Sequence, residues 1–173
     1  GTYDYYTNEV TKQYESLVND LINVDRTKTP WIIANMHAPW YKSNIKHHNE
    51  IEAVGMRESL ENIFYKFKVN IVFAGHVHAY ERMNPTCLNH TRAGCPTYIN
   101  IGDGGNREGI YDDWLPGENG ASAPDWSAFR QGSYGHGLLT LNNSKTATWE
   151  WHRNNDPVSA NASNLDWLCR ATY

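Results

Sequence analysis

Apolar positions recur at helical spacing in two stretches of this 173-residue chain. Between Val10 and Asp25 they fall at Val10, Tyr14, Leu17, Val18, Leu21, Ile22 and Val24 with polar residues between, which predicts an amphipathic helix over 11–25. Met56, Leu60, Ile63, Phe64 and Phe67 line one side of a second predicted helix over 56–67. Two short apolar runs alternate with these helices. Trp31 to Met36 follows Pro30, and Asn70 to Ala74 is stopped by Gly75. Runs of this length between breakers read as buried strands. The order strand, helix, strand predicts adjacent parallel strands joined by a right-handed crossover.

Beyond Tyr80 the texture changes. Thr97 to Ile101 reads as a strand, and 102–136, rich in Gly, Pro, Asp and aromatics, reads mostly as loop. Leu138–Leu141 and Thr146–Trp151 predict a hairpin turning through Asn142–Lys145. There is no internal repeat. The length fits one domain or a piece of a larger one, with enough chain to bury a core. A hydrophobic fraction of 40% with 13% aromatics excludes a disordered chain. The net charge of −4 argues against a nucleic-acid partner. No apolar run reaches the roughly 20 residues of a membrane span.

The candidate chemistry lies at the strand ends. Gly75-His76-Val77-His78 follows the second strand directly, and His37 follows the first. Ligands of open α/β sheets gather at the carboxyl ends of strands, and neutral imidazole is a common ligand for Zn, Fe, Cu or Ni. Three histidines at one sheet edge therefore suggest a metal site. The two of His-x-His are spaced to serve two adjacent ions. His47-His48, in the polar loop between, could offer imidazolium to an anionic substrate or stand in solvent. Asp103 in Gly102-Asp103-Gly104-Gly105 is either a carboxylate ligand or part of a plain turn. Arg57, Arg82 and Arg107 could contact an anion but read first as structural ion-pair partners, and Trp149 and Trp151 read as packing residues.

Three cysteines (Cys87, Cys95, Cys169) and three Asn-x-Ser/Thr triplets, headed by Asn89, Asn142 and Asn161, together lean towards the secretory compartment. Cys87 and Cys95 flank a short loop and could close it as a disulfide, leaving Cys169 free or paired elsewhere. The chain opens Gly1-Thr2-Tyr3-Asp4 and reads as a mature product or internal fragment.

Several runs resemble the purple acid phosphatases of the calcineurin-like metallophosphoesterase superfamily, and the plant-type branch above all. They are Lys28-Thr29-Pro30-Trp31, His37-Ala38-Pro39-Trp40-Tyr41, Phe73 to Arg82, Ile101 to Gly109, Ser133 to Gly137 and Trp149 to Asp156. The resemblance implies that 1–173 is a carboxyl-terminal portion of the catalytic domain. Its fold would be part of a four-layer α/β sandwich, incomplete without an amino-terminal half. It implies hydrolysis of phosphate monoesters at a binuclear centre by metal-bound hydroxide, with Fe(III) beside Zn, Mn or Fe. His37 and His76 would bind the divalent ion and His78 the ferric ion. His47, with His48 as alternate, would be the catalytic loop histidine at the phosphate. The family's earlier motifs, which supply two Asp, a Tyr, an Asn and another His, do not precede His37 here. Asp103 comes too late in chain order to stand for the first of them and is rejected as a ligand. This segment alone is expected to be inactive and poorly folded. Its partners would be the phosphate monoester and the missing half, and the resemblance allows a homodimer. A secreted, cell-wall or vacuolar location is expected. The competing readings are a non-catalytic extracellular glycoprotein domain of the same fold and a mononuclear three-histidine metal binder.

Overall fold

The structure is a computed structural model that describes residues 3–4, 9–10, 12–117, 120–156 and 166–170. Its elements run, in order, β1 (Tyr3–Asp4), β2 (Glu9–Val10), α1 (Lys12–Ile22), β3 (Ile33–Met36), α2 (Ile51–Lys66), β4 (Ile71–Ala74), β5 (Tyr80–Met83), β6 (Thr86–Cys87), β7 (His90–Thr91), β8 (Thr97–Ile101), β9 (Ser127–Gln131), β10 (Gly135–Leu141), β11 (Thr146–Arg153) and β12 (Asp166–Arg170). A five-stranded sheet has the order β3-β4-β8-β5-β9. Its β3, β4 and β8 are parallel, while β5 is antiparallel to both β8 and β9. An antiparallel sheet β10-β11-β12 forms the second layer.

The period-2 alternation of β4 and β8 divides the interior into two cores. Val72 and Tyr98 face the helices and pack with Leu21, Leu60, Ile63, Phe64, Trp40 and Tyr41. Their neighbours Ile71 and Ile99 face the other way, onto Tyr80, Trp149 and Trp151. Trp151 stacks on Tyr80 at 4.2 Å, and Trp149 Nε1 donates to Tyr80 Oη at 2.8 Å. Both tryptophans of β11 therefore pack, as expected from their alternation. Gly137 opposite them is required, because a Cβ there would lie 2.0 Å from the Trp149 ring.

The predicted parallel pair is present, with Met36 opposite Ala74. α1 stops three residues short of Asp25, whose side chain accepts from Thr27 N at 3.0 Å in a local turn that competes with the helix. α2 starts five residues earlier than its apolar period suggested. Ile51 is 69% exposed and carries no periodic signal, while Ala53 is buried. α2 ends with Lys68 at φ 56 while Lys68 N bonds Tyr65 O and Val69 N bonds Phe64 O, a Schellman closure that turns the chain into β4. Two strands of the five-stranded sheet, β5 and β9, have no counterpart in the sequence expectation, nor do the short β1, β2, β6 and β7 or the later β12. β9 lies inside the segment read as loop. β5 looks polar, yet all four of its residues are buried. Glu81 tolerates burial because Ser43 N donates to it at 2.8 Å and the Ser127 hydroxyl at 2.6 Å. The Cys87–Cys95 disulfide is formed, with Cα atoms 5.7 Å apart, and closes the β6–β7 hairpin. Cys169 lies on β12, and Asn161 falls outside the described residues.

Candidate metal centre

The register of β3 and β4 builds the site. With Met36 beside Ala74, the next residues, His37 and Gly75, are neighbours, and Gly75 N donates to His37 O at 2.9 Å. The chain then turns sharply. His76 adopts φ 64, Val77 N bonds Gly75 O at 2.7 Å, and Ala79 N bonds Val77 O at 2.8 Å. A non-glycine residue in this left-handed region persists only where its surroundings enforce it. Asn100, buried at the end of β8, supplies that enforcement. Its Nδ2 donates to Val77 O at 3.0 Å and to Ala79 O at 2.7 Å. Gly102 lies against the same turn, where a Cβ would fall 2.1 Å from Val77 O.

This turn aims Nδ1 of His76 at Nε2 of His37, 3.1 Å away. Nε2 of His76 meets Glu50 Oε2 at 2.8 Å, and Glu50 Oε1 meets His47 Nδ1 at 2.6 Å. An ionised carboxylate only accepts, so His76 donates from Nε2 and turns the lone pair of Nδ1 toward His37. Burial by itself would raise the Glu50 carboxyl, but hydrogen bonds from His47 and His76 outweigh it and hold it below the usual range. His47, Glu50 and His76 also place one ligand atom each within 4.8 Å of one another.

His78 meets the same cluster through Tyr111, whose ring lies 5.8 Å from that of His47. It stacks on Tyr111 at 4.5 Å, and its Nδ1 is buried without a hydrogen-bond partner, 3.8 Å from Glu108 Oε2. His47 is half-buried, with its ring 4.0 Å from that of His76, while His48 is exposed. Asp103 is a buried anchor, 1% exposed. Its Oδ2 accepts from Trp151 Nε1 at 2.8 Å, and burial raises its pKa despite that bond. Glu50 and Tyr111 were not found from sequence. The first carries only the weak signal of an acid three residues after His47, and the second carries none. Of the arginines read as ion-pair partners, Arg57 donates to Asn89 Oδ1 at 2.9 Å rather than to an acid.

The donor set fits metal. Two imidazole nitrogens 3.1 Å apart match the span of two ligands on one ion at about 2.0–2.1 Å each. A carboxylate behind one of them is the usual outer partner of a ligating histidine. His78 Nδ1 is buried with no hydrogen-bond partner among the described residues, as a nitrogen kept for a metal would be.

Residues 1–80 match the family described as calcineurin-like phosphoesterase, and residues 95–166 match iron/zinc purple acid phosphatase-like protein C. Over 158 residues the chain is 47% identical to probable purple acid phosphatase 20 of Arabidopsis thaliana, covering 91% of this chain and 36% of that protein. Over 169 residues it is 42% identical to Fe(3+)-Zn(2+) purple acid phosphatase 12 of the same plant, covering 91% and 34%. A purple acid phosphatase from yellow lupin (Lupinus luteus) seeds shares the fold, with a TM-score of 0.69 at 24% identity over 88% of this chain and 27% of its own. The chain thus spans about a third of the length of these curated relatives. With the two family matches together carrying the strand-end histidines and the strands β8 to β11 behind them, the chain belongs to the purple acid phosphatase family of calcineurin-like phosphoesterases.

Proposed function

We propose that this chain forms part of the active site of an acid phosphatase that hydrolyses phosphate monoesters at a binuclear centre of Fe(III) and a divalent Zn, Mn or Fe. The observation that carries the reading is the His37–His76 nitrogen pair at 3.1 Å, at the carboxyl ends of neighbouring parallel strands. His37 and His76 would hold the divalent ion and His78 the ferric ion. The remaining ligands would come from an amino-terminal half of the same protein. When bound, such a pair neutralises phosphate charge and makes water acidic enough to attack at low pH. Glu50 fixes the His76 ring and, through Oε1, the His47 ring. That leaves Nε2 of His47 for a phosphate or leaving-group oxygen. Water adds to phosphorus, the P–O ester bond breaks, and the proton that the departing alcohol needs comes from His47, with His48 on the adjoining rim as alternate donor.

The test uses the full-length protein. His76→Ala should remove metal and nearly all activity. His47→Ala should keep the metal and slow turnover by about 10²–10⁴-fold, most for poor leaving groups. Retention of both metals and normal turnover by His76→Ala would overturn the assignment.

The Cys87–Cys95 disulfide and the exposure of Asn89 and Asn142 support passage through the secretory pathway, to the wall, vacuole or exterior. Peptide mapping of the native protein should find glycan on these asparagines; unmodified peptides at both would count against it.

A further inference from the structure

A cavity of about 290 Å³ adjoins the histidine edge and shares two residues with the catalytic loop, His48 and Glu50. Its wall also carries two cations, Lys42 and Arg57. Lys42 is only 7% exposed, and its one hydrogen bond is a long one, 3.3 Å to Pro39 O. Arg57 donates to Asn89 Oδ1 at 2.9 Å and lies 5.6 Å from the Tyr41 ring centroid, which fixes its guanidinium at the rim. Among the described residues neither cation has a carboxylate within 4 Å. Glu50, the acid on the same wall, is already taken by His47 and His76.

A buried ammonium with a single weak partner is expensive unless an anion is supplied. Burial accordingly pulls the Lys42 pKa down, with Glu50 as the leading opposing charge. Two positive groups, one nine-tenths buried, line a space that shares Glu50 with His47 and His76. We infer that this cavity is a subsite for an anionic group on the leaving alcohol of the substrate, a carboxylate or a second phosphate. The inference rests on the phosphatase reading above and narrows it: the preferred esters carry a second negative charge near the ester oxygen. A neutral alcohol of the same size leaves Lys42 and Arg57 unsatisfied, which is the stronger form of discrimination.

The test compares esters that differ only in that group, using the metal-loaded full-length protein. 3-Phosphoglycerate and glycerol 3-phosphate differ by a carboxylate against a hydroxymethyl. Propane-1,3-diol bisphosphate and its monophosphate differ by the second phosphate. The wild type should show higher kcat/KM for one charged member over its neutral counterpart, and which pair shows it identifies the anion. Arg57→Gln and Lys42→Met should each lower that charged-to-neutral ratio by about tenfold or more, the weight of one charge-assisted hydrogen bond. Arg57 lies at the rim, so Arg57→Gln carries the test if Lys42→Met does not fold. A wild type without preference in either pair overturns the inference while leaving the phosphatase reading intact. So does a ratio that stays within twofold of wild type in Arg57→Gln. If none of the four esters is hydrolysed, the phosphatase reading fails and the subsite falls with it.

Discussion

Gly102→Ala tests whether the histidine turn is held from behind. The added methyl would lie 2.1 Å from Val77 O, 2.8 Å from Val77 C and 3.2 Å from Gly75 C, all backbone atoms that no rotamer can move aside. A carbon–oxygen contact needs about 3.3 Å, so the Val77 carbonyl must retreat by roughly 1 Å. That carbonyl also accepts from Asn100 at 3.0 Å, so retreat stretches a buried bond as well. Overpacking at about 1–3 kcal/mol plus a weakened buried hydrogen bond at about 1 kcal/mol gives a cost near 3 kcal/mol. For a domain of this size that is a fall in Tm of about 6–12 °C. Val77 stands between His76 and His78, so the shift also moves imidazole nitrogens by a distance comparable to a metal–ligand tolerance. Metal content, measured by elemental analysis beside the melt, should fall with stability. Gly104→Ala is the matched control, because a Cβ there meets nothing within 4 Å. If Gly102→Ala melts within 2 °C of the Gly104→Ala protein and keeps its metal, the turn is not braced by this contact and the argument fails.

Asn100→Leu should leave Val77 O and Ala79 O without their side-chain donor and cost about 2–4 kcal/mol, read by urea unfolding, with loss of metal at unchanged fold. Cys87→Ser opens a loop with a sequence separation of 8, whose closure is worth about 2.5 kcal/mol, and should lower the thermal midpoint without touching metal content. Asp103 has a pKa raised by burial, so its contribution to folding is greatest below its unfolded value of 3.8 and is lost as pH rises through the folded value. Asp103→Asn, which still accepts from Trp151, should therefore gain stability relative to wild type as pH rises above about 4, and parallel pH–stability curves would refute this.

The elements legible in the sequence were those whose burial is one-sided or complete. α1 shows its helical period because one face meets the core, and β4 shows a continuous apolar run because Ile71 and Val72 serve opposite cores. β5 was hidden because a buried strand can carry Glu81 when hydroxyls and a backbone amide from distant segments meet it. Those partners, Ser43 and Ser127, lie 38 and 46 residues away in sequence. The three strand-end histidines were legible from position alone. Glu50 was not, since its role depends on His47 and His76 arriving at its two oxygens from different segments. Nor was the Lys42–Arg57 cavity, which joins one residue from a loop to another from α2.

The site depends on strand register more than on any one ligand. A slip of one residue between β3 and β4 would carry His76 about 3.3 Å along the strand and turn every β4 side chain to the other face. The 3.1 Å nitrogen pair would be lost. Such a slip is opposed from both sides of the sheet, because Val72 would leave the helix core for the tryptophan core while Ile71 moved the reverse way. Asn70 adds a polar lock at the start of the strand, taking Ile32 N at 2.7 Å on its side chain and giving its own N–H to Ile32 O at 2.9 Å. The Schellman closure of α2 delivers the chain to Asn70 with a fixed count of residues. Glu50 immediately precedes α2 and His76 immediately follows β4 and Gly75. The helix that covers the core therefore also sets how far the carboxylate stands from the imidazole it orients. This places the control of ligand geometry in the packing of Val72 and Ile71, at the far end of β4 from the histidines.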